Sequence, residues 1–470
     1  MGVLAALGAS PIQQHFPRRL QRPLSHRSYA LSVMASAAGG GSSSKPIPRV
    51  VICGGGIIGA CTAHYLAEKG LAEGVTLVER GEPACAASGK AGGFLALDWN
   101  DSSPVGPLAR LSYRLHTQLA DQLGAERLGY RGVHTLQVVG VEKPPGGGGG
   151  RRLRGAEKLP DWVDGHVVGM SEMGDPSNTA QVHPHKLTTA LLESALTRGS
   201  RLLRGCVEGL RLEDVEGGGR RVTGVVVDGA VLPADVAVIA LGPWSGAARD
   251  WFRSSPSVTT HPSTASSSSP SSSPLAPPLL QGPPLLPHLS ISGQKYHSVV
   301  LRPRRPVSDH MLFTGFKYAS GLPPAPSSVP PSSGRTVEPE VYPRPDGSVY
   351  VCGEPQSLPV PPSAEGVTVE GDLIDNIRRV AGSLASCLAE APEETRQACY
   401  LPCAPDGLPV IGPVPGCAGA FLATGHTCWG ILNGPATGLL LAEWIEAGRP
   451  SSCGERELGA FSPGRFAARA

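Results

Sequence analysis

Short apolar runs alternate along this chain with longer stretches in which apolar residues return every three or four positions. Val50 opens one such run, which gives way to glycines. From Ile57 to Lys69 the apolar positions follow helical spacing until Gly70 stops them. Val75 to Val78 then reads as a second buried strand. Arg110 to Leu123 sets Leu111, Leu115, Leu119 and Leu123 along one face, predicting an amphipathic helix. His134 to Val141 reads as a strand, and the Pro144 to Gly150 run after it reads as a surface insertion. It lacks the strand-to-helix context of a phosphate cradle.

Leu187 to Thr197 is again helical, closed by Gly199, and strands are expected at Arg201 to Cys206, Val222 to Val227 and Val236 to Leu241. Ser and Pro dominate Ser254 to Pro287 and Ser320 to Ser333. Such composition buries too little apolar surface to fold, so both read as disordered insertions. Between and after them, strands at Tyr296 to Leu301, Met311 to Phe316 and Ser348 to Cys352 suggest a separate antiparallel sheet. Leu373 to Leu388 reads as a helix, and α/β character returns from Leu408 to a helix ending near Ile445.

Composition narrows the function classes. With 41 basic and 39 acidic residues the formal charge is +2, and no basic stripe offers itself to nucleic acid or anionic lipid. The sequence contains no uninterrupted run of about 18 apolar residues, the length needed to span a membrane. The 11 cysteines include no CxxC pair, only the looser Cys399 and Cys403, so neither a disulfide framework nor a metal site is expected. Glu68 is the first acidic residue. The leader before it carries Arg18, Arg19, Arg22 and Arg27 among serines and alanines, as organelle transit peptides do. The Val33-Met34-Ala35-Ser36 run favours a chloroplast address, and the paired arginines also suit a mitochondrion. A disordered tail with no address is the alternative that the Gly39 to Ser44 stretch allows.

The chemistry centres on Gly54-Gly55-Gly56-Ile57-Ile58-Gly59. With 61 glycines in 470 residues, a GxGxxG match arises about once by chance, so the context carries the signal. Here the glycines join a strand to a helix, and Glu79 ends the next strand. Gly54 permits the tight turn, Gly56 lets the backbone approach a pyrophosphate, and Gly59 lets helix pack on strand. Ile57 and Ile58 begin the helix whose N-terminus faces the phosphates. Glu79, followed by Arg80, would bind the hydroxyls of an adenosine ribose and repel a 2′-phosphate, which points to FAD or NAD.

The following segment, Ala87-Ser88-Gly89-Lys90-Ala91-Gly92-Gly93, offers a hydroxyl and bare N–H groups for a second approach to phosphate. This order of GxGxxG, Glu, then Ala-Ser with a Gly pair resembles the D-amino-acid-oxidase-like superfamily of FAD-dependent oxidoreductases. The resemblance implies cofactor contacts at Gly92, Gly93 and Val207, and at Gly242 and Trp244 in the Val236 to Ser245 segment. It is strongest at Pro405 to Gly412 and Ala423 to Pro435. There Gly425, Gly430, Ile431, Leu432 and Asn433 are expected at the flavin edge. His426 is either a flavin neighbour or a structural histidine. With Trp429 and Lys295 it is a candidate catalytic residue, and Gln294 to His297 and Cys352 to Glu354 are candidate pocket walls.

The resemblance implies an α/β fold, a Rossmann-type FAD-binding domain interleaved with an antiparallel-sheet substrate domain. We divide the chain into a leader at 1–48, FAD-binding segments at 49–105, 171–253 and 396–450, and substrate-domain segments at 106–170 and 288–395. Insertions lie at 254–287 and 320–334, and a tail at 451–470. The implied reaction is hydride transfer from an amine or amino or imino acid to flavin N5, with a small-molecule substrate and oxygen or another acceptor as partners. Where amino-acid oxidases of this superfamily carry a carboxylate-clamping arginine, this sequence has Leu401, and Lys295 and Arg302 are each either a substitute from the substrate domain or a solvated strand residue. Cys399 is either an inert thiol or the site of a covalent flavin link. An FAD that is structural, in an assembly or trafficking factor, and an NAD-dependent dehydrogenase are the rival readings.

Overall fold

The computed structural model describes residues 46–142, 158–253, 284–317 and 336–468. The leader at 1–48 up to residue 45, its Val33 to Ser36 run, the turn at Pro144 to Gly150, and most or all of the two Ser/Pro insertions lie outside these residues.

Val50–Cys53 is wholly buried, as a parallel strand covered on both faces must be. It pairs in parallel with Val75–Glu79 on one side and Val236–Ile239 on the other. Arg201–Arg204 and Ala420–Thr424 extend the sheet in parallel, and Val410–Pro413 closes the far edge antiparallel. The helices Ile57–Glu68, Pro184–Thr197 and Gly430–Ala447 cover one face with Gly106–Leu123, around a core that includes Leu66, Leu191 and Leu440. Two of these helices approach closely at Gly438, where a Cβ would stand 2.5 Å from Cys61. The other face is covered by Val207–Asp214, Arg220–Val227 and Ala230–Pro233. Leu286, expected in the disordered insertion, is fully buried in this second core, so the ordered chain resumes before residue 288. The tail also folds: Phe461 and Phe466 are buried, and Arg465 pairs with Asp406 at 2.6 Å.

A second sheet runs Glu393–Cys403, Ser292–Leu301, Val349–Gln356, Glu340–Pro343, His310–Lys317, His134–Val141, Val167–Gly174. Thr336–Val337 pairs beside His310–Lys317. Its pairs are antiparallel except that His134–Val141 runs parallel to His310–Lys317. Pairing of Ser292 with Cys403 carries this sheet past the 395/396 division. The expected Leu373 to Leu388 helix is broken at Ala385 into Gly371–Leu384 and Ser386–Ala389.

Alternation along these strands decides what faces what. Val299, Leu301, Val349 and Val351 pack on the Gly371–Leu384 helix, whereas Val300, Tyr350 and Cys352 face the opposite way with Phe313 and Tyr342. That second face lines a cavity with Ala91, Gly92, Gly93, Phe94 and Trp99, and the glycine-rich turn lines a cleft beside it.

Candidate active site

The strand–turn–helix at Val50 to Glu68 makes a cleft. Gly54 has φ +112°, and a Cβ on it would stand 2.4 Å from the Ala240 carbonyl oxygen. At Gly59 a Cβ would stand 2.0 Å from the Gly54 carbonyl oxygen, so this glycine closes the turn and does not line the cleft. Glu79 ties the second strand to the turn: its Oε2 accepts the Gly55 N–H at 2.7 Å and its Oε1 the Gly81 N–H at 2.8 Å. The Ser88 hydroxyl accepts the Ile57 N–H at 2.9 Å, at the open N-terminus of the helix.

Of the residues expected to bind cofactor, Gly54, Gly56, Ile57, Ile58, Glu79, Arg80, Ala87 and Ser88 line this cleft. So do Val207, Gly242, Trp244, Gly430 and Ile431. Trp244 is anchored by its indole N–H, which donates to the Pro361 carbonyl at 2.6 Å. Gly92 and Gly93 are placed elsewhere. A Cβ on Gly92 would run into the Tyr342 ring at 2.2 Å and one on Gly93 into the Val182 carbonyl at 1.9 Å, and both glycines line a second cavity. Gly425, Leu432 and Asn433 do not line the cleft with their side chains, although the first turn from Gly430 leaves its N–H groups without helical acceptors.

His426 lines the cleft, is 2% exposed, and meets the Thr437 hydroxyl through Nε2 at 2.9 Å. Burial lowers its pKa to about 3, so the ring is neutral. Lys295 is brought to neither cavity. On its strand it shares the odd-numbered parity of Val299 and Leu301, and therefore points under the Gly371–Leu384 helix, where its ammonium pairs with Glu370 at 2.8 Å. It is a structural ion pair, contrary to the expected catalytic role. Arg302 is paired with Glu394 at 2.6 Å on the surface and does not replace the missing clamp.

The second cavity, about 690 Å³, lies against the cleft. Ala91, Leu401, Cys428 and Ile431 line both, so the two adjoin beside the start of the Gly430 helix. Trp429 lines the second cavity, as do Tyr296 and Cys352 from the expected walls and Cys399. Burial holds the Cys399 thiol up at about 11.

Sequence reasoning missed the rest of this cavity: Phe94, Trp99, Phe313, Glu338, Glu340, Tyr342 and Tyr350. The alternation in Glu340-Val341-Tyr342 was a signal that both polar residues share one face. Also missed was the brace behind the Gly430 helix. Pro435 has no N–H for the Ile431 carbonyl, and His116 Nε2–H donates to it instead at 3.0 Å and to the Leu432 carbonyl at 3.1 Å. Ser112 accepts the Ala436 N–H at 3.0 Å.

Residues 49–444 match the family described as FAD dependent oxidoreductase. The chain belongs to that family. It is 30% identical to a protein of Schizosaccharomyces pombe named as an oxidoreductase, over 86% of this chain and 95% of the relative. It is 26% identical to glycine oxidase of Pseudomonas aeruginosa, over 86% of this chain and 96% of the relative. The solved glycine oxidase of Geobacillus kaustophilus shares the fold with a TM-score of 0.63 at 22% identity, covering 88% of this chain and 98% of that one. L-Amino acid deaminase of Proteus myxofaciens does so with a TM-score of 0.60 at 17% identity, over 95% and 98%.

The cleft of this oxidoreductase fits FAD on its own geometry. A Cβ on Gly56 would fill the space 3.0 Å from the Ser88 hydroxyl, and His426 Nδ1 is buried beside the cleft with no partner among the described residues. Glu79, Gly56, Ser88, Gly430 and Ile431 all line the cleft, and with FAD bound Glu79 would hold the ribose, Gly56 and Ser88 the pyrophosphate, and Gly430 and Ile431 the flavin. No group of three or more His, Cys, Asp or Glu side chains among the described residues is arranged to hold a metal, and no described helix is long and apolar enough to cross a membrane.

Proposed function

We propose that this oxidoreductase oxidises a carbon–nitrogen bond in a small molecule, taking a hydride from the carbon beside nitrogen and passing the electrons to oxygen. The observation that carries this reading is that Ala91, Leu401, Cys428 and Ile431 line both cavities, which sets a donor in the second beside a ring held in the cleft. Bound FAD supplies the hydride acceptor. The positive end of the Gly430 helix holds the negative charge that develops at its edge. His116 and Ser112 keep that helix start in place despite Pro435, and Ile431 lines both cavities with Trp429 next to it in the second. The relatives named glycine oxidase and amino acid deaminase support a nitrogen-bearing donor.

Oxygen uptake with equimolar hydrogen peroxide release, on addition of an amine or amino acid to the FAD-loaded protein, is the expected result. Turnover that needs an artificial acceptor and consumes no oxygen removes the oxidase part of the reading. Cys399 opens on the second cavity with a thiol that burial keeps protonated, and we take the FAD as non-covalent. Acid precipitation should then leave the yellow chromophore in the supernatant; colour in the pellet would establish the thioether.

A further inference from the structure

We infer that the second cavity takes a cationic amine carrying no carboxylate, with its ammonium held by Glu340 against aromatic ring faces. This rests on the carbon–nitrogen oxidation reading and names the class of donor.

The charge of the cavity wall points that way. Two carboxylates, Glu338 and Glu340, line it, and among the described residues the only cationic side chain that does so is the exposed Lys317. Glu340 is oriented: its Oε2 accepts from the Tyr342 hydroxyl and from the Cys352 thiol at 3.7 Å. Glu338 Oε2 is buried with no partner among the described residues. An anionic substrate entering here would lose its hydration beside two carboxylates, with Leu401 rather than a guanidinium at the junction. An ammonium would gain a counter-charge.

The apolar part of the wall suits the same guest. Phe94, Trp99 and Phe313 form one cluster with ring centroids 4.9–5.1 Å apart, and Trp429 meets Trp99 edge-on at 6.4 Å. Ring faces attract cations, more so where water is excluded. Burial raises Glu340 to about 7, which makes its carboxylate a stronger base than an exposed one. Glu340 can then take one proton from the bound ammonium: an N–H bond breaks, an O–H bond forms on the carboxylate, and the electron pair stays on nitrogen. The neutral amine that oxidation requires is left in place.

Isothermal titration calorimetry of the FAD-loaded protein with benzyltrimethylammonium chloride and with sodium benzoate, at matched ionic strength, tests this. The ammonium should bind roughly tenfold or more tightly than benzoate, and Glu340→Gln should weaken it by a similar factor. Phe313→Leu, which keeps the wall apolar but removes a ring face, should weaken it as well and serves if Glu340→Gln does not fold. Tighter binding of benzoate, binding of neither probe, or unchanged ammonium binding in both variants overturns the inference. If the ammonium binds but no amine or amino acid reduces the flavin, the oxidation reading fails and this one stands. If α-amino acids reduce the flavin and their decarboxylated amines do not, this one fails and the oxidation reading stands.

Discussion

His116 donates its Nε2–H to the carbonyl of Ile431, the one backbone acceptor in the Gly430 helix that Pro435 leaves without a partner. The contact joins residues 315 positions apart and fixes the start of the helix that faces the flavin end of the cleft. In His116→Ala the Ile431 and Leu432 carbonyls lose this donor and a small cavity opens. We expect a loss of about 3–5 kcal/mol in unfolding free energy, measured by denaturant titration, together with weaker FAD retention. A variant as stable as the parent would show that water replaces the ring at no cost.

Buried histidines make the fold sensitive to mild acid. Burial lowers His64, His116 and His183 to about 4 and His426 to about 3, against 6.5 for a free imidazole, and lowers His297 and His310 as well. The unfolded chain therefore binds protons that the folded one refuses. The resulting stability is present in full above pH 6.5 and is lost as the pH falls from there toward 4, by up to about 3 kcal/mol per histidine. Denaturant midpoints at pH 7, 6 and 5 should fall steadily, and a flat profile over that range would contradict the assigned neutral states.

Glu79 holds the turn through Gly55 and Gly81, and we propose that it also accepts the ribose hydroxyls of FAD. Glu79→Ala removes two charge-assisted hydrogen bonds as well as the ribose acceptor. Binding of FAD, followed by quenching of its fluorescence, should weaken by about 10- to 100-fold. An unchanged affinity would move the ribose away from Glu79.

Lys295→Met should leave the rate of anaerobic flavin reduction within about twofold of the parent, because the ammonium lies under the Gly371–Leu384 helix and not in the cavity. The same variant should lose some stability, since Glu370 loses its partner. A large fall in the reduction rate with stability intact would return Lys295 to the reaction.

The strand–turn–helix that begins the cleft was legible because its signals are local. A strand, three spaced glycines, a helix and a terminal glutamate lie within one short stretch, and the steric reasons for Gly54 and Gly59 hold in the structure. The second cavity was not legible, because it is assembled from positions such as Phe94, Phe313, Glu340 and Leu401 that the topology alone brings together. Lys295 shows how little separates the outcomes. Its neighbour Tyr296 enters the cavity while Lys295 turns away, and periodicity gives two faces without saying which one is wet or lined by ligand. His116 lay beside the leucine stripe of a helix that was recognised. Nothing in that stripe tells of a proline far along the chain whose missing N–H the ring would replace.

Hydride transfer from a nitrogen-bearing donor in the adjoining cavity to a flavin in the cleft is tested most directly by the visible spectrum of the purified FAD-loaded protein, recorded without oxygen before and after addition of benzylamine, longer alkylamines and α-amino acids. A yellow protein that one or more of these donors bleaches and that air restores is the expected result. A protein that binds no flavin, or a bound flavin that none of these donors reduces, would contradict it.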